Sequence, residues 1–168
     1  MNVLHRALLI LLTWTCVAGS AALAQDELAI SELTFIDKQY MQQQRTQLNE
    51  LAGRYFGRQF NGSRDNDLAL LQRLLDDEVV RADQTQQLQG MGIILGDLLA
   101  QDLGLHWVVY QDRMGRSRAL RYQETDNYLF PTTMISRRRE VGNTAAVVEI
   151  YNKAEQTMRA AIPPLPFQ

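Results

Sequence analysis

Hydrophobic residues recur every three to four positions, the spacing of an amphipathic helix, in four stretches of the chain. In the first stretch these residues are Tyr40, Met41, Leu48, Leu51, Ala52 and Tyr55. The second stretch contains Leu68, Leu71, Leu74 and Leu75, and the third contains Leu88, Met91, Leu95, Leu98 and Leu99. The fourth contains Val147, Val148, Tyr151, Ala154, Met158 and Ile162. The pattern therefore predicts three helices before residue 105 and one after residue 140.

Residues that favour helix ends flank each of these stretches. Candidate N-terminal caps are Thr34 with Asp37, Asp65 or Asn66, Asp83 with Gln86, and Gly142 with Asn143. Candidate stops are Gly57, Gly104 and the run Pro163-Pro164-Leu165-Pro166. Residues 25–33 show neither a helix nor a strand pattern and are expected to be a loose lead-in.

Between the third and fourth helices the pattern changes to that of strands. Residues 105–111 are rich in β-branched and aromatic residues, and residues 117–123 form a second candidate strand with Leu120 and Tyr122 on one face. Asp112 to Gly115 between them suits a hairpin turn. A third strand is expected at 128–130, with Pro131 limiting it to an edge or a bend, past which Met134 and Ile135 would extend it. The predicted fold class is α+β, with N-terminal helices, a small three-stranded antiparallel meander and a C-terminal helix.

The first 24 residues have the features of a secretory signal peptide. Arg6 gives a short cationic start, Leu8 to Leu12 form an apolar run too short to span a bilayer, and Ala22-Leu23-Ala24 is a cleavage motif. Cleavage is predicted between Ala24 and Gln25, which leaves 25–168 as a single periplasmic domain with no transmembrane anchor. An uncleaved anchor and a lipoprotein acylated at Cys16 are the alternatives.

Composition limits the chemistry of the mature domain. Cys16 is the single cysteine of the chain and would leave with the signal peptide, which excludes a disulfide, a cysteine nucleophile and a thiolate metal site. The formal net charge of the whole chain is -2, which gives no electrostatic case for a nucleic-acid partner. No sequence motif for a metal or a cofactor is present, so none is expected.

Several short motifs occur in a fixed order from the third helix onward. They are Leu88-Gln89-Gly90-Met91-Gly92, Leu95-Gly96-Asp97, Trp107-Val108, Asp112 with Gly115, Ala119-Leu120-Arg121-Tyr122, Phe130-Pro131 and Met134-Ile135-Ser136-Arg137-Arg138. Over about residues 88–161 the chain resembles a bacterial family known as domain of unknown function 3806. The resemblance supports the α+β fold and implies no activity and no catalytic residue. Arg137 stands where the family pattern suggests lysine.

Two motifs resemble catalytic or cofactor-binding motifs. His106, the only histidine of the predicted mature chain, could act as a general base in a small hydrolase if an acid such as Asp112 lay beside it. The glycines of Gly90-Met91-Gly92 and Gly96 superficially resemble a dinucleotide-binding loop, but they fall inside a predicted helix. Their spacing instead predicts close packing of that helix against a neighbour.

Arginine is concentrated in the meander and just after it. The seven residues are Arg113, Arg116, Arg118, Arg121, Arg137, Arg138 and Arg139. If the fold brings them together they form an anion-binding face, because guanidinium groups pair well with carboxylate and phosphate. The residues predicted to contact a partner are Trp107, Asp112, Arg118, Arg121, Arg137 and Arg138.

The leading functional hypothesis is a non-enzymatic periplasmic module that binds a protein or an anionic envelope component through this face. One alternative is a structural envelope protein in which the arginines pair with acids and only solvate the surface. The other alternative is the carboxylate- and histidine-dependent hydrolase.

Overall fold

The computed structural model describes residues 28–162 and has the predicted α+β class, with a four-stranded antiparallel sheet and five α-helices in this range. The predicted signal peptide and the proline-rich end lie outside the described residues. The strands are β1 (Ala29–Glu32), β2 (His106–Asp112), β3 (Gly115–Arg121) and β4 (Tyr128–Leu129). The helices are α1 (Phe35–Phe56), α2 (Arg64–Asp76), α3 (Thr85–Leu103), α4 (Ser136–Glu140) and α5 (Val147–Ala161), with a short 3-10 helix at Pro131–Thr133.

The sheet has one strand more than the sequence predicted. Its order is β1-β2-β3-β4, and β1 pairs antiparallel with β2 from Ala29 opposite Gln111 to Glu32 opposite Val108. The expectation of a loose lead-in over 25–33 was therefore wrong in its second half. Four mostly exposed residues, Ala-Ile-Ser-Glu, carry too little hydrophobic alternation to mark a strand.

The end of the meander also differs from the prediction. β4 has only two residues, and the chain then enters the 3-10 helix and α4 instead of continuing as a strand through Met134 and Ile135. Pro131 has no N–H to donate to a sheet, and it begins the 3-10 helix. Ile135 is fully buried in the main hydrophobic cluster, so its apolar character reflects helical packing and not a strand.

The predicted cap of α1 is confirmed. The Thr34 hydroxyl accepts a hydrogen bond from the Asp37 backbone N–H at 3.2 Å, and the Asp37 carboxylate accepts one from the Thr34 N–H at 3.1 Å. The helix ends at Gly57, whose φ of 63° is the left-handed conformation that glycine adopts without steric cost. The predicted stop of α3 at Gly104 is confirmed in the same way.

The other helices begin at residues different from those predicted. Asn66, one of the two predicted caps, lies inside α2 and donates to the Gln59 carbonyl in the preceding loop at 3.0 Å, and Ser63 occupies the cap position. Helix α3 begins at Thr85 instead of after Asp83. The Asn143 side chain closes a turn on the Ala145 N–H, so α5 begins only at Val147.

Helix α3 forms the centre of the fold. It packs against α1, α5 and the 3-10 helix, and most of its side chains are buried in the main hydrophobic cluster. A Cβ atom on Gly92 would lie 2.4 Å from the Pro131 carbonyl oxygen, and one on Gly96 would lie 2.4 Å from Cζ2 of Trp107. Both distances are well below carbon contact distance. The predicted packing role of these glycines is confirmed.

We predict that Gly92→Ala and Gly96→Ala each lower the free energy of unfolding by about 1–3 kcal/mol, because backbone or a buried ring must move to admit a methyl group. Gly53→Ala in α1 is the matched control. A Cβ at Gly53 meets nothing within 4 Å, so this change should raise stability by about 0.5–1 kcal/mol. Urea unfolding followed by circular dichroism measures all three. Equal effects at Gly92 and Gly53 would contradict the close approach of α3.

Candidate functional site

A groove runs between the outer edge of β3 and the segment from Phe130 to Arg137. We call it the hairpin groove, and its cavity volume is about 570 Å³. This volume is within the usual range for ligand-binding pockets. Its lining includes Tyr110, Asp112, Arg116, Arg118, Phe130, Thr132 and Arg137. Three of the six residues predicted to contact a partner, Asp112, Arg118 and Arg137, therefore meet in one concave site.

The other three predicted contact residues do not line the groove. The Trp107 indole packs on Gly96 and donates a hydrogen bond to Asp97 at 3.0 Å. Asp97 also accepts two hydrogen bonds from the Arg45 guanidinium, at 2.6 and 2.8 Å. Trp107 therefore contributes to the contact between the sheet and α3. The indole nitrogen, the one polar atom of its side chain, is already bonded to Asp97.

Arg121 and Arg138 are engaged with nearby groups of the chain. Arg121 pairs with the Glu124 carboxylate at 2.7 Å, donates to the Thr125 carbonyl, and lies over the Tyr128 ring. Arg138 donates to the Met134 carbonyl at 2.5 Å. Arg121 and Arg138 thus belong to local arrangements outside the groove.

Arg116 and Arg118 share one buried carboxylate, that of Asp37. Arg116 donates to both of its oxygens, at 2.9 and 2.5 Å, and Arg118 donates through Nε at 3.0 Å. The Asp37 side chain is 1% exposed, and Arg118 also lies over the Tyr40 ring at 4.4 Å. These bonds tie the β2–β3 hairpin to the start of α1. The hydrogen bond from Arg116 holds the pKa of Asp37 well below its usual range, against the opposing effect of burial.

Arg137 differs from the other arginines of the groove. Its side chain is exposed, and it makes no hydrogen bond or ion pair with any residue between 28 and 162. Asp112, on the hairpin, accepts a hydrogen bond from the Met114 N–H. With Asp37 behind the groove, the two carboxylates offset two of the three guanidinium charges. The groove therefore carries about one unbalanced positive charge, at the exposed side chain of Arg137.

The groove also contains groups that the sequence did not single out. The rings of Tyr110 and Phe130 meet edge to face with centroids 5.1 Å apart, and Tyr128 meets Tyr110 at the same distance. The Thr132 hydroxyl oxygen is buried with no hydrogen-bond partner among the described residues. The aromatic character of residues 105–130 was visible in the sequence. Their grouping was not, because it depends on how β2, β3 and β4 align.

His106 shows no catalytic arrangement. It lies at the start of β2 opposite Arg121 and makes no hydrogen bond or ion pair within residues 28–162. Asp112 is six residues further along the same strand, which places it roughly 20 Å away at strand spacing. Within the described part of the chain, no three histidine or acidic residues cluster as metal ligands would, and none of the helices is long and apolar enough to cross a bilayer.

These features define an α+β protein in which a central buried helix supports an antiparallel sheet with a polar groove at one strand edge. A family model described as a domain of unknown function, DUF3806, matches residues 67–151, just over half of the chain. The chain belongs to this family. The match begins within α2, earlier than the start near residue 88 inferred from sequence motifs, and ends within α5.

One solved structure shares the fold. It is a crystal structure at 1.50 Å resolution of a protein from Bacteroides thetaiotaomicron VPI-5482, with a TM-score of 0.68 and 16% sequence identity. The similarity covers 76% of this chain and 47% of that one, so this chain corresponds to about half of the length of its structural relative. A comparison with curated proteins finds no match.

We predict that Asp37→Asn reduces the change in the free energy of unfolding between pH 7 and pH 2. Because the pKa of Asp37 is lowered in the folded state, its ionised form stabilises the fold above the unfolded pKa of about 4, and this contribution is lost as the pH falls below that value. At pH 7 the variant should lose about 2–4 kcal/mol of unfolding free energy, since two partly exposed arginines lose their buried partner.

The measurement is urea unfolding between pH 7 and pH 2. Asp65→Asn is the matched control, because the exposed Asp65 side chain makes no hydrogen bond or ion pair within residues 28–162. The control should keep the slope of the wild type. If Asp37→Asn also keeps that slope, the proposed coupling between Asp37 and the two hairpin arginines is wrong.

Proposed function

We propose that the protein is an exported, non-enzymatic module that works in the periplasm and binds an anionic group of a protein partner in the hairpin groove. The observation that carries the proposal is Arg137, an exposed guanidinium on the wall of a concave site with no hydrogen-bond or ion-pair partner among residues 28–162. Guanidinium groups bind carboxylates through two parallel hydrogen bonds, which gives both affinity and orientation.

The rigid surroundings of Arg137 support this role. Asp37 fixes Arg116 and Arg118 on the opposite wall, so this wall of the groove keeps its shape around the charge of Arg137. Tyr110 and Phe130 add an apolar surface beside the charge. Such a combination of fixed polar groups and aromatic contact area is typical of binding sites.

Export is supported by the order of features in the first 24 residues: a cationic start, a short apolar run and an Ala-x-Ala motif. The absence of cysteine after residue 16 is compatible with an oxidising compartment, where disulfides are permitted but not required.

A structural envelope protein without a discrete ligand is the second candidate. It is favoured by the pairing of Arg116, Arg118 and Arg121 with acids of the same chain. This candidate accounts for three arginines but gives no role to Arg137. The hydrolase gains no support from His106, which makes no hydrogen bond or ion pair with an acid within residues 28–162.

The binding test uses a ten-residue polyglutamate peptide titrated into the mature protein, followed by amide chemical shifts. We predict shifts at Ser117, Thr132 and Thr133 in the groove, and about tenfold weaker binding for Arg137→Ala. Arg54→Ala is the matched control. It removes the same charge from α1, at an arginine that also has no hydrogen-bond or ion-pair partner within residues 28–162.

Equal weakening by the two changes would mean that polyglutamate responds only to net charge, and it would contradict the groove as the site. No binding to the wild type would favour the structural candidate.

For export, we predict that the protein recovered from the periplasm of a double-membraned bacterium begins at Gln25, as measured by intact mass. Ala24→Trp should prevent cleavage, because the peptidase pocket requires a small residue at this position, whereas Ala21→Ser should not. A wild-type protein that keeps residues 1–24 would contradict the cleavable signal.

A further inference from the structure

The outer edge of β3 is open over most of its length. All seven residues of β3 pair with β2 on one side, but on the other side β4 pairs only with Leu120 and Arg121. From Gly115 to Ala119, no strand within residues 28–162 pairs with this outer edge. This open edge forms one side of the hairpin groove.

The alternation of the ladder identifies which backbone groups face the groove. Just past β3, the Tyr122 N–H donates to the Asn127 carbonyl on the β4 side, at 3.3 Å. Backbone groups of alternate residues in an antiparallel strand point to the same edge, so those of Arg116 and Arg118 point outward as well. The two-residue loop between β2 and β3 leads to the same assignment. Such a loop closes on a hydrogen-bonded pair, here Asp112 with Gly115, so the backbone groups of Gly115 face β2 and those of Arg116 face the open edge.

The open edge therefore presents two N–H donors and two carbonyl acceptors at strand spacing. None of these four groups is hydrogen-bonded to another described residue on the groove side. Proteins usually cover or disrupt an open edge of this kind, because it can pair with another chain. Here the chain turns away at Pro131 and leaves space where β4 would have continued along β3.

We propose that an extended, acidic segment of another protein adds to the outer edge of β3 in line with β4, with one acidic side chain paired to Arg137. This inference rests on the proposed function and specifies its ligand. Main-chain hydrogen bonds to Arg116 and Arg118 supply affinity that does not depend on sequence. Arg137 supplies the preference for an acidic residue, and Tyr110 with Phe130 flanks the added strand with aromatic surface.

A small anion would use only part of this site. It could pair with Arg137, but it would leave the four backbone groups of the edge without partners. A peptide satisfies both features at once, because its own donors and acceptors repeat at the spacing of β3. The side chains of Arg116 and Arg118 remain bonded to Asp37, so strand addition requires no change in the hairpin.

The test uses fluorescent eight-residue peptides in which glutamate and valine alternate, with both ends blocked. Binding is measured by anisotropy, and hydrogen exchange is measured at the Arg116 and Arg118 amides. We expect the peptide to bind and to slow exchange at both amides at least tenfold. Two further versions carry N-methyl groups on alternate amides, one version for each edge of the peptide strand. One of them should bind at least tenfold more weakly, since only one edge can pair with β3.

A charge swap tests the role of Arg137. The wild type should prefer the glutamate peptide to a version with lysine at every glutamate position. Arg137→Glu should reverse this preference, while Arg54→Glu should preserve it. Reversal excludes a merely structural role for Arg137, because a misfolded groove would bind neither peptide.

The outcomes separate this inference from the proposed function. If both N-methylated peptides bind as tightly as the parent, anion binding stands and strand addition is overturned. If the lysine peptide binds the wild type as tightly as the glutamate peptide, the acidic preference is overturned. If neither polyglutamate nor the alternating peptide binds, the proposed function itself fails.

Discussion

The close approach of α3 to the segment after β4 determines much of the rest of the structure. Gly92 allows the Pro131–Thr132 backbone to lie directly against the helix, and Gly96 admits the Trp107 ring beside it. Because the chain is held there, it cannot continue along β3, and β4 ends after two residues. The site at the edge of β3 is thus a consequence of helix packing several residues away, in the buried centre of the molecule.

The second constraint is the carboxylate of Asp37. It completes the cap of α1 and also binds two arginines of the hairpin, so one side chain links local helix formation to a contact almost 80 residues away in sequence. A carboxylate in this environment remains ionised because its hydrogen-bond donors are in place before any ligand arrives. The hairpin is therefore positioned by charge pairing, while the opposite wall of the groove is positioned by apolar packing.

The sequence predicted the parts of this fold that depend on local chemistry. The cap at Thr34, the glycine stops and the α+β class follow from turn and helix preferences that act over a few residues. It did not predict β1. The four residues of β1 lack the hydrophobic alternation of a strand, and they form one by pairing with the edge of β2. The starts of α2 and α5 were misplaced because two predicted caps, Asn66 and Asn143, form hydrogen bonds within the preceding loops, and those bonds depend on the path of the chain.

The candidate site was predictable in part, for similar reasons. An arginine-rich meander was evident, and Arg137 and Arg118 do face one groove. Arg121 and Arg138 lie outside the groove because they bond to the nearby Glu124 carboxylate and Met134 carbonyl. The number of arginines in the sequence does not predict these bonds. The open edge of β3 could not be inferred without the length of β4.

The position of β1 has a consequence for the order of folding. The three strands of the meander lie within about 25 residues of one another, and short turns connect them. β1 is made first, yet it pairs with a strand about 80 residues later in the chain. Closing so long a loop costs more entropy than closing a hairpin, and the pairing gains only four residues of ladder. β1 should therefore join the sheet last during folding and detach first, although it is synthesised before the other elements between residues 28 and 162.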